Sequence, residues 1–230
     1  MQPFNVSAAL DPLTEVYPPA NVLLRAVKAG DRDARYAISR LWLSEGIPFA
    51  FKARPAVYEA LRIWLARYLD IQAKEITIIG SGRQGFSLSP DQNVGRPFGP
   101  QSDLDMTVIS SSLFQRLRAA FGRWEQDYTH GIVHPRNERE KALWGENQRN
   151  NPLALERGFI DPQKIPTWPR YPEAEMVMDA LWRVHEKLKV TPHAPDVRKV
   201  SLRVYRDWDS FVRQMAINLE VVGRIVKAVS

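Results

Sequence analysis

Two aspartates separated by a single residue carry most of the chemical information in this sequence. Asp103 and Asp105 open the run from Ser102 to Ile109, whose β-branched residues predict a strand. Side chains alternate along a strand, so the two carboxylates are expected to point the same way, about 7 Å apart. Such a pair is repulsive when buried and ionised, whereas a hard divalent cation with oxygen ligands explains it well. The alternative is a solvated, idle pair at a strand edge.

A glycine-rich turn precedes the aspartates. The run from Glu75 to Ile79 predicts a strand that ends at Gly80-Ser81-Gly82. A turn without bulky side chains lets backbone N–H groups and the Ser81 hydroxyl approach phosphate oxygens. A tight turn that binds nothing is the alternative, and the two interpretations are compatible.

Together these motifs resemble the signature of nucleotidyltransferases of the DNA polymerase β superfamily, which is a Gly-Ser turn followed by an Asp-x-Asp strand. Here the signature is Gly80-Ser81, then Gly85-Phe86-Ser87, then the run from Ser102 to Val108. The resemblance implies transfer of a nucleoside monophosphate from a nucleoside triphosphate (NTP, such as ATP) to a hydroxyl, dependent on Mg²⁺ or Mn²⁺. It implies that Asp103 and Asp105 are catalytic metal ligands. The implied nucleotide-binding residues are Gly80, Ser81, Gly82 and, as a further phosphate contact, Arg83.

The resemblance also implies a third carboxylate, supplied by a later strand as general base or metal ligand. The expected strand, from Val200 to Tyr205, contains no acidic residue. Asp207 lies just past its end and is our first choice for this catalytic role, with Asp127 and Asp161 as alternatives. A second departure is the long interval between the motifs, whose excess falls in a Gly/Pro/Asn-rich loop at residues 89–100.

Apolar periodicity supplies the elements that must position these residues. It predicts helices at about residues 19–29, 31–44, 55–70, 111–124, 173–188 and 209–228, and a third strand at residues 199–205. The order predicts an α/β (α+β) fold, nucleotidyltransferase-like, with a short mixed sheet and packed helices. We expect an N-terminal arm at residues 1–18 and one domain at residues 19–230. Residues 130–172 lack clear periodicity and are expected to form a loop-rich insertion.

Charge and composition limit which classes of partner the protein can have. The net charge is +6 and the pI about 9.6, which favours polyanionic partners such as nucleotides or RNA. Basic residues concentrate between Arg183 and Arg213, although a solvated basic face is the alternative there. The chain has no cysteine, which excludes disulfides and thiolate metal sites. It also lacks a signal peptide pattern or a membrane-length apolar run, so we expect a cytoplasmic protein with no membrane partner.

The sequence does not identify the acceptor of the nucleoside monophosphate, which could be an RNA end, a protein side chain or another nucleotide. By analogy with small members of the superfamily, the chain is a candidate bacterial toxin or defence component. The main alternative is a catalytically weak or inactive module of the same fold that binds nucleic acid or a partner protein. Another is a different phosphate chemistry at the Gly-Ser turn, such as pyrophosphoryl transfer.

Overall fold

A computed structural model describes residues 4, 6–89 and 94–228, with side chains described as far as residue 225. The helices within it are α1 (Ala20–Ala29), α2 (Arg32–Leu41), α3 (Pro55–Leu69), α4 (Gly80–Gln84), α5 (Ser111–Thr129), α6 (Glu138–Glu156), α7 (Pro172–Val190) and α8 (Trp208–Ala228). The strands are β1 (Ile76–Ile79), β2 (Asp103–Ile109), β3 (Phe159–Ile160) and β4 (Lys199–Tyr205). The predicted mixed α/β class is confirmed. None of the helices in these ranges is long and apolar enough to cross a membrane.

The four strands form one mixed sheet in the order β1-β2-β4-β3. β2 is antiparallel to β1 and parallel to β4, and β3 is antiparallel to β4. The parallel pairing aligns Asp105 with Ser201 and Ile109 with Tyr205. The two central strands, β2 and β4, therefore begin at the same end of the sheet. Asp103 and Asp105 lie at that end.

Each face of the sheet packs against its own layer of helices. On one face, Leu104 and Met106 belong to a core built with residues of α3, α5 and α7. On the other face, Ile109 and Tyr205 pack in a second apolar cluster with residues of α1, α2 and α8. Because side chains alternate, Asp103 and Asp105 lie on this second face, ahead of the apolar half that α8 covers. The fold thus places both carboxylates at the open end of a packed sheet face.

Local signals explain several of the helix boundaries. Asp31 caps α2, because its side chain accepts a hydrogen bond from Ala34 N (2.8 Å), as the sequence predicts. Pro55 stands at the first position of α3, where its missing N–H has no intrahelical partner to lose. The expected N-terminal arm forms no helix or strand between residues 6 and 18, and Leu13 anchors it in the second cluster. Of the loop expected at residues 89–100, residues 90–93 lie outside the described ranges.

The prediction that residues 130–172 form a loop-rich insertion is corrected by the structure. This segment contains the 19-residue helix α6 and the short strand β3. The helix is hard to recognise because its buried side includes Asn147 and Asn151 beside Trp144, while Leu143 and Leu153 are exposed. Apolar periodicity is therefore lost. A cap signal is nevertheless present, since the Asn137 side chain accepts a hydrogen bond from Glu140 N (2.9 Å).

Candidate functional site

The two sequence motifs meet in one cleft of about 610 Å³, within the range of small-molecule sites. It lies where β1 ends and β2 begins, under the middle of α8. Its polar lining includes Gly80, Ser81, Ser87, Ser89, Arg96, Asp103, Asp105, Arg198 and Asn218; its apolar lining includes Leu43, Ile79, Leu88, Met215, Leu219, Val221 and Val222. Residues more than 130 positions apart therefore share one site.

Asp105 is the more enclosed of the two carboxylates. The Ser201 hydroxyl, from the neighbouring position on β4, donates to Asp105 Oδ1 (2.6 Å). Gly80 faces the other oxygen so closely that a Cβ there would lie 3.0 Å from Asp105 Oδ2. Burial raises the pKa of Asp105, the charge of Asp103 adds to this, and the Ser201 hydrogen bond opposes it. The site thus holds a carboxylate whose charge is poorly compensated.

Asp103 has the opposite environment. Arg198 Nε and Nη2 donate to its two oxygens at 2.9 and 3.1 Å, and Lys199 Nζ lies 3.4 Å from Oδ2. Partial burial raises the pKa of Asp103, but the Arg198 hydrogen bonds and the Lys199 charge outweigh it and hold this pKa below its usual value. Two aspartates on one strand face therefore differ in their electrostatics, because only the outer one reaches the cations at the start of β4.

The glycine-rich turn has two parts with different roles. Gly80 has a φ of +63°, which favours glycine, and with Ser81 it lines the cleft beside Asp105. The turn continues as one turn of helix, α4, rather than as a loop. Gly82 is buried, and a Cβ there would lie 3.1 Å from Ile78 Cγ2 and 3.2 Å from Leu104 Cδ1. Gly82 therefore permits close packing of α4 on the sheet and does not line the cleft, contrary to its expected nucleotide contact.

Arg83, expected as a further phosphate contact, points away from the cleft. Only 2% of its surface is exposed, and its Nη1 donates to the carbonyl oxygen of Ile47 (2.8 Å). Its guanidinium also lies near the ring of Tyr17. Burial lowers the pKa of Arg83. Arg83 is therefore a structural residue that ties α4 to the segment after α2, and no pattern in the sequence indicates that this arginine is buried.

The structure does not bring Asp207 to the aspartate pair, which corrects its ranking as third catalytic acid. Since β4 runs parallel to β2, Asp207 follows the far end of the sheet, more than roughly 13 Å along the strand from the position beside Asp105. Its Oδ1 accepts from Ser210 N and its Oδ2 from Arg206 Nε, both at 2.7 Å. Asp207 is the N-cap of α8.

The two alternatives also have partners of their own. Asp161 forms a two-point ion pair with Arg203 (2.7 and 3.0 Å), and it shares a small cavity of about 210 Å³ with Asp105 and Ser201. Asp127 is paired with Arg170 and Tyr171, away from both cavities. Across the described ranges, no group of three or more His, Cys, Asp and Glu residues is placed to hold a metal. Of the candidates for a third acid, Asp161 is the one that shares a cavity with Asp105, and Arg203 engages it.

We expect Asp207→Ala to lower the free energy of unfolding by about 1 kcal/mol, because it removes the cap of α8. The Arg206 and Ser210 hydrogen bonds outweigh burial and lower the pKa of Asp207 to about 2. A depressed pKa stabilises the fold above the unfolded-state pKa, about 3.9, and this contribution is lost as pH falls towards 2. Urea unfolding of Asp207→Ala at pH 7 measures the loss of the cap, and urea unfolding of wild type and Asp207→Asn between pH 7 and 2 measures the contribution of the charge. Activity loss in Asp207→Asn equal to that of an Asp105 variant would instead make Asp207 catalytic.

Sequence reasoning missed four features of the cleft. Ser201, Arg198 and Lys199 touch the aspartates only because β4 pairs in parallel with β2, and that pairing is not readable from spacing. The alternation of Lys199, Ser201 and Arg203 along β4 was the available signal for a polar strand face. The fourth is Gln84, which lines the cleft although both polar atoms of its side-chain amide are buried without a hydrogen-bond partner among the described residues.

The residues present fit a divalent cation that arrives together with a phosphate ligand. Mg²⁺ commonly binds one or two carboxylates and completes its shell with water and substrate phosphates. Asp103 and Asp105 supply the carboxylates, and the glycine at position 80 leaves the approach to Asp105 Oδ2 free of a side chain. Asp103 and Asp105 alone do not complete the coordination shell of a cation, so water and substrate phosphates would supply the other ligands.

Comparisons of the chain with protein-family models, with curated proteins and with solved structures find no match. The resemblance to nucleotidyltransferases therefore depends on the motif residues, and any function has to be argued from the geometry of the cleft.

Proposed function

We propose that the protein is a nucleotidyltransferase that moves a nucleoside monophosphate from an NTP to a hydroxyl acceptor, with Mg²⁺ or Mn²⁺. One observation carries the proposal. Asp103 and Asp105, neighbours on one strand face, line the same cleft as Gly80 and Ser81. The carboxylate pair and the glycine-serine turn have their simplest joint use in binding a metal–triphosphate complex.

In this proposal Asp103 and Asp105 hold the metal, and Gly80 and Ser81 contact the phosphates. When bound, the cation supplies Lewis-acid stabilisation of charge on the phosphate oxygens. The acceptor oxygen bonds to the α-phosphorus, the bond from that phosphorus to the bridging oxygen breaks, and pyrophosphate leaves. The acceptor proton passes to a base and then to water. We assign that role to Asp161, because it shares the small second cavity with Asp105 and Ser201.

The charges around the cleft support an anionic substrate. Arg96 and Arg198 line it together with Ser81, Ser87 and Ser89, so a triphosphate would meet cations and hydroxyl groups as well as the carboxylates. Arginine suits phosphate because its planar donors can engage two oxygens at once. The acceptor is proposed only as a class: an RNA end, a protein hydroxyl or a second nucleotide. A role in toxin or defence systems stays an analogy.

The second candidate is a module of the same fold that binds nucleic acid or a protein without efficient turnover. It is favoured by the ion pairs that engage Asp103 in the cleft and Asp161 in the small second cavity, since carboxylates already bound by arginine resemble a structural network. Part of the basic region argues against this binding module, because two of the arginines expected to bind a polyanion already have carboxylate partners. Arg203 and Arg206 are themselves paired, with Asp161 and Asp207.

The test is incubation with each α-³²P-labelled NTP and Mg²⁺, with and without total RNA. Wild type is compared with an Asp103→Ala/Asp105→Ala double variant and with Asp196→Ala, an exposed acid outside the cleft, as matched control. We expect label transfer by wild type and control, and loss of transfer in the double variant. An Asp161→Ala variant in the same assay asks whether that residue is the third acid. Folded wild type that transfers no label under any condition would favour the binding module.

A further inference from the structure

Asp103 is already engaged in the cleft. Arg198 binds both of its oxygens, and Lys199 approaches one of them. A cation on Asp103 needs the same oxygen lone pairs and would lie beside the positive guanidinium. Metal and Arg198 are therefore expected to compete for one carboxylate.

Arg198 lines the cleft beside Gly80 and Ser81, the two residues proposed to contact the phosphates. A bound phosphate is therefore a second partner for its guanidinium. Its backbone N–H donates to the Ser102 carbonyl oxygen (2.9 Å), which fixes its Cα at the start of the central strands. Its side chain is 61% exposed, so the guanidinium is not locked by packing. A fixed backbone with an exposed charged end allows a change of partner without a change of fold.

We propose that Arg198 exchanges partners when substrate binds: it neutralises Asp103 in the metal-free protein and moves to phosphate oxygens when a divalent cation takes Asp103. The ligand identity rests on the proposed function. The exchange leaves both groups with a partner of opposite charge in each state, because the cation replaces the guanidinium on the carboxylate and the triphosphate replaces the carboxylate on the guanidinium. Arg198 is thus assigned as a substrate-binding residue that also lowers the affinity for metal alone.

The proposal predicts opposite changes in two binding constants of Arg198→Ala. The affinity for Mn²⁺ alone rises about fivefold, the order expected when a partly exposed ion pair no longer competes. The affinity for α,β-methylene-ATP at saturating Mg²⁺ falls about tenfold, because a charge-assisted contact to phosphate is lost. Titration of free Mn²⁺ by electron paramagnetic resonance measures the first, and isothermal titration calorimetry the second. Neither readout requires turnover.

Two variants separate partner exchange from a general loss of positive charge. Arg96→Ala removes another arginine of the cleft, and no ion pair joins Arg96 to Asp103 or Asp105 within the described ranges. It is expected to weaken the nucleotide analogue and to change Mn²⁺ affinity less than about twofold. Arg198→Lys keeps the charge but loses the two-point contact, so its Mn²⁺ affinity should lie between those of wild type and Arg198→Ala.

Unchanged or weaker Mn²⁺ binding by Arg198→Ala would overturn the exchange, and so would an equal rise in Arg96→Ala. Unchanged affinity for the nucleotide analogue would overturn its second half. Urea unfolding of each variant excludes loss of fold as the cause, and Arg198→Lys alone still tests the sign of the metal effect. Failure of the proposed function looks different: no label is transferred, whatever the binding constants do.

Discussion

Asp105→Asn is expected to reduce nucleotide transfer by about 10³-fold or more while leaving the fold at least as stable at neutral pH. The loss in rate is of the order found when one group that stabilises transition-state charge is removed. Asparagine keeps an oxygen that can accept the Ser201 hydrogen bond, but it removes the charge that a cation would bind. Initial rates with labelled NTP, beside urea unfolding at pH 7, measure both effects.

The pH dependence of stability tests the same residue independently. Burial raises the pKa of Asp105 above its unfolded value. A raised carboxyl pKa contributes stability that is fully present below the unfolded pKa of about 3.9 and is lost as pH rises through the folded pKa. As pH rises from about 3.9 through the raised pKa of the folded state, wild type should therefore lose stability relative to Asp105→Asn. Below about pH 3.9 the free energies of unfolding of the two proteins should converge.

Asp103→Asn is the matched control, because the neighbouring residue should give the opposite sign. The Arg198 and Lys199 contacts outweigh burial and depress the pKa of Asp103, so its charge stabilises the fold above about pH 3.9 and this contribution is lost as pH falls. Asp103→Asn should lose transfer and stability together at pH 7. Parallel pH profiles for the two variants would contradict the different environments assigned to the two aspartates.

The part of the site that the sequence could predict is local in the chain. Strand alternation predicts that Asp103 and Asp105 share a face, and the turn after β1 predicts an open approach at Gly80. Gly80 and Ser81 line one cleft with Asp103 and Asp105, while Gly82 does not. The Asp31 cap likewise depends on residues within one helical turn. Such features depend on backbone geometry over a few residues, which neighbouring residue types largely determine.

What the sequence could not predict depends on pairing and burial. Asp207 looked close because it follows a strand, yet the parallel direction of β4 places it at the opposite end of the sheet. The same pairing brings Ser201 to Asp105 from 96 residues away. Arg83 is buried against a backbone carbonyl, a position that its charge alone argues against. Helix α6 was hidden because its buried face is partly amide rather than apolar.

The largest expected effect on stability is at Gly158, which connects α6 to β3. Its φ is +85°, and an added Cβ would overlap Ser210 Oγ and lie 2.7 Å from Ser210 Cβ in the first turn of α8. Gly158→Ala should lower the free energy of unfolding by about 2–5 kcal/mol, combining left-handed backbone strain with overpacking. Urea unfolding measures the loss. Since Met215 and Leu219 of α8 line the cleft, nucleotide binding should weaken as well.

Gly122→Ala provides the control for this substitution. Gly122 lies inside α5, and nothing stands within 4 Å of a Cβ added there, so alanine should stabilise the fold by about 0.5–1 kcal/mol. Combining Gly158→Ala with Ser210→Gly separates the two causes, because the second change removes both close contacts and leaves the backbone strain. A double variant that recovers part of the lost stability supports the steric cause. No recovery, with Ser210→Gly alone as the reference, would mean that left-handed backbone strain at position 158, rather than contact with Ser210, causes the loss.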